Sequence, residues 1–200
     1  MKDPKLREID QRAFLRRLNP MLDVYAAAME PPHEQLPGRH GIMERHATYP
    51  GFRAFVAERR GTLPVLPGPV QGFAYGFHGA RGQWWHDVVH QALSDLEGPD
   101  HAQEWLSDAF EVAELHVHPQ AQGKGLGRGL LNALCEGRPE RTVVLSTLDR
   151  HPDTPARRLY RSVGMVDLLR DFEFPGGGPR YAVMGGRLPL AQYSSAPRSE

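Results

Sequence analysis

The residues with the clearest chemical potential lie in one glycine-rich segment, Gln122-Gly123-Lys124-Gly125-Leu126-Gly127-Arg128. This segment follows an apolar run that ends at Val117 and precedes leucines at helical spacing, so the sequence predicts a strand, a turn and a helix. Glycines let a backbone approach a ligand closely, and the first N–H groups of a helix attract anions. With the cations Lys124 and Arg128 beside them, these groups are predicted to hold a phosphate or pyrophosphate.

Three other readings of this segment were weighed. A Walker loop needs Ser or Thr after its Gly-Lys pair, and Lys124 is followed by Gly125. A dinucleotide fingerprint needs a third glycine three residues after the second, where Leu130 stands. The third reading, a strand-to-helix turn that is merely tight, stays open at this point.

Two motifs resemble those of the GNAT N-acetyltransferase superfamily. The pattern Gln-x-x-Gly-x-Gly, after a strand that ends in Val-x-Pro, resembles the acetyl-CoA-binding motif of that family. The family's last core helix commonly reads Asn-x-x-Ala-x-x-Leu-Tyr-x-x-x-Gly-Phe. The matching positions of this chain are Asp153, Ala156, Leu159, Tyr160, Gly164 and Met165, with Asp in place of Asn and Met in place of Phe.

The resemblance implies a fold and a domain organisation. It implies an α/β domain over residues 1–190, in which a mixed, predominantly antiparallel sheet is splayed around acetyl-CoA and flanked by helices. Residues 191–200 are expected to be a polar tail. The stretch 81–106 is longer than the hairpin that the family usually has there, and Trp84, Trp85, Val88, Val89 and Leu93 predict an amphipathic helix broken at Gly98-Pro99.

The resemblance also implies an activity, the direct transfer of acetyl from acetyl-CoA, as cosubstrate, to a primary amine. The backbone near Val117 is expected to hold the thioester carbonyl, and Tyr160 to protonate the departing thiolate. Glu111 and Glu114 are candidate bases, because an ammonium must lose a proton before it attacks. The expected acetyl-CoA contacts are Leu115, His116, Val117, Gln122, Gly123, Lys124, Gly125, Leu126, Gly127, Arg128 and Asp153.

The alternation of a strand bears on the choice between the two carboxylates. Glu111 lies where several family members hold their base, and Glu114 has the opposite pleat parity unless the strand bulges. A solvated strand charge is the alternative for either one. An alternative for the whole chain is a non-catalytic, regulatory acyl-CoA-binding module that has kept the fold.

The composition narrows the functional class. The chain has 200 residues, 24 basic and 24 acidic side chains and 40% hydrophobic residues, which is typical of a single globular domain. Balanced charge argues against nucleic acid and anionic membranes as partners, and the Arg157, Arg158 and Arg161 cluster is expected to be a solvated face. Without an apolar leader or spanning segment, a cytoplasmic location is expected. A homodimer is compatible with the sequence.

Two histidine pairs and one cysteine could suggest other chemistry. His86 and His90 lie one helical turn apart, but no third ligand stands at a diagnostic distance, so no metal is predicted and the pair is expected to be solvated or to line the acceptor site. His116 and His118 are expected on one side of a strand, lining a cleft. Cys135 lies among leucines and is expected to be an inert thiol.

Periodicity gives the remaining elements. We expect a helix over 9–29 entered at Asn19-Pro20, a helix over 41–48, strands over 52–58 and 70–77, and a loop over 61–69. Residues 141–147 predict a strand, and Thr154 and Gly164 are expected to cap the helix between them. Two final strands are expected at 172–174 and 181–184. The aromatic residues expected to line the acceptor pocket are Tyr25, Tyr75, Phe77, Trp84 and Trp85.

Overall fold

A computed structural model describes residues 4–60 and 67–191. The strands are β1 (Lys5–Ile9), β2 (Arg53–Arg60), β3 (Pro67–Gly79), β4 (Ala109–Val117), β5 (Thr142–Leu148), β6 (Val166–Phe172) and β7 (Tyr181–Arg187). The helices are α1 (Gln11–Leu15), α2 (Leu18–Met29), α3 (Leu36–His46), α4 (Trp84–Glu97), α5 (Pro99–Leu106), α6 (Leu126–Cys135) and α7 (Pro155–Ser162).

The described strands belong to one sheet in the order β1-β2-β3-β4-β5-β7-β6. The pairs β1–β2, β2–β3, β5–β7 and β6–β7 are antiparallel. The predicted mixed α/β fold with a mostly antiparallel sheet and flanking helices is therefore confirmed. The chain divides into two compact units, residues 1–78 with 111–134 and residues 79–110 with 135–200. We call them the first unit and the second unit.

The first unit holds β1, β2, nearly all of β3, most of β4, the helices α1 to α3 and nearly all of α6. Its core is aromatic: Phe14 packs edge-on against Tyr75 and Phe52, with ring centroids 5.0 and 4.9 Å apart. The strand β1 was not predicted, because four of its five residues are exposed and it lacks an apolar alternation. Its residues pair with β2 from Lys5↔Glu58 to Ile9↔Ala54.

The N-terminal helix prediction was wrong in detail. Two helices replace the single one, and Asp10 caps the first by accepting a 2.7 Å hydrogen bond from the Ala13 N–H. Pro20 is the third residue of α2 rather than its entry. Proline is tolerated there because the first-turn N–H groups of a helix have no intrahelical partner. The next helix, α3, begins five residues earlier than expected, at Leu36.

The second unit holds the insertion and the C-terminal strands. The predicted helical insertion is confirmed, and its break at Gly98-Pro99 divides it into α4 and α5 at Gly98, whose φ of +91° suits glycine. Trp105 of α5 lies against β7, where a Cβ at Gly185 would come within 2.8 Å of the indole. Thr154 caps α7 as predicted, accepting a 3.2 Å bond from the Arg157 N–H. Gly164 after it has the expected left-handed φ, +87°.

Three sequence predictions differ from the structure or fall outside it. The sixth strand covers residues 166–172 rather than the predicted 172–174. The prediction missed most of this strand because exposed Val166 and charged Asp167 and Arg170 interrupt its apolar alternation. In the predicted loop at 61–69, residues 67–69 belong to β3, and 61–66 lie outside the described residues. Of the predicted tail at 191–200, residues 192–200 also lie outside them.

Candidate active site

The glycine-rich segment forms the predicted strand–turn–helix arrangement in the first unit. After β4 ends at Val117, a short 3-10 turn at Pro119–Ala121 leads to Gln122. The Gln122 side-chain amide donates a 2.9 Å hydrogen bond back to the Val117 carbonyl, which ties the loop to the end of the strand. The first backbone bond of α6 runs from the Gly129 N–H to the Gly125 carbonyl over 3.0 Å.

The backbone of this loop needs glycine at two positions and leaves space beside them. Gly123 and Gly125 have φ values of +75° and +77°, in the left-handed region that other residues rarely adopt. A Cβ at either position would meet no atom within 4 Å. Lys124 is exposed and Arg128 is half-buried. An open glycine loop with cations beside a helix N-terminus fits a phosphate group.

Glu111 lies on β4 in the core of the first unit. Its side chain is 4% exposed, so it is not a solvated strand charge. Among the described residues, no group hydrogen-bonds its buried Oε2 atom. Desolvation by burial raises the pKa of Glu111 to about 8, because no nearby cation compensates the ionised form. A carboxyl group with this pKa can both take up and release a proton near neutral pH.

Glu114, three residues further along β4, has opposite surroundings. It is also buried, but its Oε1 accepts a 2.9 Å hydrogen bond from Arg39 Nη1 and its Oε2 contacts His116 Nε2. Burial alone would raise the pKa of Glu114, but the hydrogen bond that it accepts from His116 and the positive charge of Arg39 outweigh it. The pKa of Glu114 therefore lies below its usual range, and the group is a poor proton acceptor.

Arg39 was not anticipated from the sequence. It lies on α3, 75 residues before Glu114, and no local pattern marks it. Its guanidinium stacks over the Tyr25 ring at 5.0 Å and lies 3.4 Å from the Tyr25 hydroxyl. The contact depends on how α2 and α3 pack onto the sheet, which periodicity alone does not determine.

A tyrosine and a histidine form a second buried polar pair nearby. Tyr75 of β3 is fully buried, and its hydroxyl lies 3.1 Å from Nδ1 of His46. Desolvation raises the pKa of Tyr75, and the negative charges of Glu114 and Glu111 raise it further. Desolvation lowers the pKa of His46 to about 4, so this imidazole is neutral at physiological pH. Tyr75 was expected in an aromatic wall, whereas the His46 partner was not foreseen.

Three of the predicted cofactor contacts lie at the end of β4. Leu115 and His116 are partly buried and Val117 is 9% exposed at the end of β4. The prediction that His116 and His118 share one side of a strand was wrong, because the strand ends at Val117. His118 instead begins the following turn, and its Nδ1 accepts a 3.3 Å hydrogen bond from the Gln120 N–H.

Two predicted site residues belong to the second unit. Tyr160 lies on α7 and is 6% exposed. Asp153 precedes that helix, is exposed, and donates its backbone N–H to His151 Nδ1 over 3.1 Å. Thr154 rather than Asp153 caps α7, so the Asp153 carboxylate is not used in the cap.

Of the arginine cluster on α7 that the sequence predicted to be a solvated face, Arg158 and Arg161 are exposed but Arg157 is not. Arg157 is fully buried and bonds both oxygens of Asp167, at 2.7 and 2.8 Å. It also donates to Asp149 over 3.0 Å and to the Pro152 carbonyl over 3.2 Å. Sequence alone shows three arginines in five positions and cannot show which one points inward.

The histidine pair on α4 packs internally. His86 is buried rather than solvated, and its ring stacks on His90 with centroids 5.9 Å apart. Within residues 4–60 and 67–191, no cluster of three or more His, Cys, Asp or Glu side chains could hold a metal ion. Cys135 is buried at the end of α6, where an inert role was expected.

The insertion tryptophans have different surroundings. Trp84 is 58% exposed and lies 5.5 Å from the Phe174 ring, measured between centroids. Trp85 is partly buried and donates its indole N–H to the Ser146 hydroxyl over 3.2 Å. In the described part of the chain, no helix is both long and apolar enough to cross a bilayer.

Comparison with solved structures shows the fold. The chain is similar to an acetyltransferase from Desulfovibrio desulfuricans, with a TM-score of 0.62 and 14% identity over 92% of this chain and 98% of the other. It is also similar to YncA from Salmonella typhimurium, solved with acetyl-CoA, with a TM-score of 0.57 and 19% identity over 100% of both chains. The ribosomal-protein-S18-alanine N-acetyltransferase of Escherichia coli gives a TM-score of 0.59 and 16% identity over 96% and 98%.

Sequence comparison shows the family. The chain is 35% identical over 192 residues to the GCN5-like protein acetyltransferase Rv2170 of Mycobacterium tuberculosis, covering 88% of this chain and 93% of that protein. Residues 50–164 match the family described as the acetyltransferase (GNAT) domain, and this range includes β4, the glycine loop and α7. The chain therefore belongs to the GNAT acetyltransferase family.

Proposed function

We propose that this protein is an N-acetyltransferase that moves an acetyl group from acetyl-CoA to a primary amine of a small molecule or peptide. The observation that carries the proposal is Glu111, a buried carboxyl group with an unpartnered Oε2 and a pKa near that of a general base. It lies on the same strand that leads into the open glycine loop. A phosphate-binding loop and a titratable carboxyl on one strand suit a transfer reaction.

The glycine loop is proposed to hold the pyrophosphate of acetyl-CoA. Its donors would be backbone N–H groups of the segment 122–128, with Lys124 and Arg128 as cations. The strand residues 115–117 would face the pantetheine arm, and Asp153 stays a weaker candidate for the same arm. When bound, acetyl-CoA supplies the activated acetyl group as a thioester.

Proton transfer is assigned to residues of this chain. Glu111 would take a proton from the acceptor ammonium, because its pKa of about 8 lets it act near neutral pH. Glu114, the second candidate base, is already held by Arg39 and His116, and its lowered pKa makes it a poor competitor. Tyr160 would donate a proton to the departing thiolate, a role that rests on the family resemblance.

Two classes of amine are candidate acceptors for this reaction. Rv2170 is described as a protein acetyltransferase, and SpeG of Vibrio cholerae, a structural neighbour with a TM-score of 0.52 and 16% identity, as a spermidine/spermine N-acetyltransferase. A lysine side chain and a small amine are both compatible with a base such as Glu111. We propose that the insertion, through Trp84 and Trp85, contributes to acceptor choice. The cytoplasmic location and a homodimer stay predictions.

Two measurements test this function. Calorimetric titration should show CoA binding to the wild type and none to Gly125→Glu, because a carboxylate and a side chain at positive φ would both oppose the pyrophosphate. Thiol release should be followed with acetyl-CoA and a panel that includes lysine peptides, polyamines and amino acids. CoA binding without release for any amine would favour the non-catalytic module instead.

A matched pair of variants tests the role of Glu111. Glu111→Gln should lower kcat by about 100-fold with little change in CoA affinity, since loss of a general base typically costs about 10²-fold or more. Glu140→Gln is the control, because Glu140 is equally buried but pairs with Arg138 in the second unit. Equal activity of the two variants would contradict the assignment.

A further inference from the structure

The contact between Glu114 and His116 shows which ring nitrogen of the histidine is the donor. Glu114 Oε2 faces His116 Nε2, and an ionised carboxylate can only accept a hydrogen bond. Nε2 must therefore carry the proton, and in the neutral imidazole Nδ1 then has a free lone pair. This is the arrangement by which a carboxylate sets the tautomer of a proton-accepting histidine.

The imidazole ring is also held in place by its neighbours. Tyr25 packs against it at 88° with centroids 5.1 Å apart, and Phe73 packs at 45° with centroids 5.6 Å apart. The side chain keeps 12% of its surface exposed. Glu114 is fixed in turn by Arg39, whose guanidinium rests on the Tyr25 ring. The ring is thus oriented before any ligand binds.

The free nitrogen of His116 has no competing partner. Among the described residues, none hydrogen-bonds Nδ1, and this atom is not sealed from solvent. The titratable and charged groups that surround His116 are Glu114 on its own strand, Tyr25 on α2 and Arg39 on α3. Glu111, Tyr75 and His46 complete the polar groups of this face. A rigid imidazole with one open nitrogen is suited to proton transfer.

In the proposed reaction the acceptor nitrogen gives up two protons. A primary ammonium has three N–H bonds and the product amide keeps one, so two N–H bonds break while the C–N bond forms and the C–S bond breaks. The thiol sulfur finally holds one of these protons and solvent the other, so no further reactant is needed. Glu111 takes one proton at a time, and Tyr160 can take another only after it has protonated the departing thiolate, so a further acceptor beside the nitrogen would serve the second proton.

We infer that His116, oriented by Glu114 and Arg39, accepts through Nδ1 one of the two protons that the acceptor nitrogen loses. His116 is then a second catalytic residue, and Glu114 is a positioning residue that acts through it. The inference rests on the proposed N-acetyltransferase function. It gives Glu114 and Arg39, which are poor candidates for direct proton transfer, a definite role.

A glutamine substitution separates proton transfer from structure. In His116→Gln the amide nitrogen occupies about the place of Nε2 and can still donate to Glu114, but the proton acceptor at Nδ1 is lost. We expect kcat to fall by about 100-fold at pH 7 while the KM for acetyl-CoA stays within about twofold. The deficit should shrink as pH rises towards the pKa of the acceptor amine, because solvent then removes protons more readily.

The chain offers a matched control in His40. It also faces a glutamate, Glu44, at 3.5 Å, but both side chains are solvent-accessible and lie on α3. His40→Gln should leave kcat and its pH dependence unchanged. If His116→Gln has the rate and pH profile of His40→Gln in a protein whose wild type transfers acetyl, the inference is overturned and the proposed function stands.

Two further measurements separate a failure of the His116 inference from a failure of the proposed function. Nitrogen-15 NMR of the histidines should show His116 with a protonated Nε2 and a bare Nδ1, and this form should be lost or mixed in Glu114→Gln. A protonated Nδ1 in the neutral wild-type ring would overturn the inference even if His116→Gln folds poorly. A wild type that binds CoA but acetylates no amine overturns the proposed function, and the role of His116 with it.

Discussion

Each unit buries an arginine–carboxylate cluster, and the two clusters differ in how completely they are satisfied. Arg157 in the second unit is fully buried, and its bonds to Asp149, Asp167 and the Pro152 carbonyl use donors on all three of its nitrogens. Arg39 in the first unit keeps 35% of its side chain exposed, and its charge partner Glu114 also binds His116. On the strand that carries Glu114, Glu111 is buried with one oxygen unbonded.

The difference indicates different roles for the two clusters. A closed network in which every polar group is bonded gives stability and order but offers nothing to a ligand. A cluster that leaves Nδ1 of His116 and Oε2 of Glu111 without partners is less stable than it could be, and such unsatisfied groups are typical of functional sites. We therefore expect substitutions in the closed network of the second unit to change folding stability alone, and substitutions of Glu111 and His116 in the first unit to change chemistry as well.

The largest effect is expected from Arg157→Ala. It removes the fully buried cation of the network and leaves Asp149, itself almost fully buried, and Asp167 with only the partly exposed Arg170 and Arg161, so the free energy of unfolding should fall by about 3–5 kcal/mol. Urea unfolding followed by circular dichroism measures this. Arg158→Ala is the control, since Arg158 is exposed and only its contact with the Asp153 carbonyl is lost. Similar losses in the two variants would show that the buried network contributes no more to the free energy of unfolding than an exposed arginine does.

The comparison also shows what sequence patterns can and cannot predict. The glycine loop, α4, α5 and the Thr154 cap were predictable because each depends on residues close together in the chain. The inward orientation of Arg157 and the contact between Arg39 and Glu114 depend on side chains brought together by packing, across 10 to 75 positions. The edge strand β1 was missed for a related reason, since pairing with β2 rather than its own apolar pattern holds it.

Glu111 should make the first unit less stable as pH rises. Its folded pKa of about 8 lies above its ordinary value of 4.5, so between these two pH values the native state binds more protons than the unfolded state. Stability therefore falls with rising pH, by at most about 1.4 kcal/mol per unit for one proton. Glu111→Gln removes this dependence, so its advantage over the wild type should be absent below about pH 4.5 and grow up to about pH 8.

Urea unfolding of both proteins at several pH values measures that difference. The wild-type value is subtracted from that of the variant because Glu114 and Asp149 change stability in the opposite sense in both proteins. Their pKa values are lowered, so the stabilisation that they give is present above their unfolded pKa values and is lost on acidification. A stability difference that does not change with pH would show that the pKa of Glu111 in the fold equals its ordinary value. This result would also weaken the assignment of Glu111 as the general base.

The smallest effect is expected from Arg161→Ala at the rim of the closed network. Arg161 donates to Asp167 over 3.0 Å and to the Pro152 carbonyl over 2.8 Å, as Arg157 does, but its side chain is 38% exposed. Water replaces the lost bonds, and Arg157 still neutralises Asp167, so the free energy of unfolding should fall by only about 0–1 kcal/mol. The remaining difference should shrink further in 1 M NaCl, because salt screens exposed charges. A loss as large as that of Arg157→Ala, or one insensitive to salt, would place Arg161 inside the buried network and remove burial as the property that separates the two arginines.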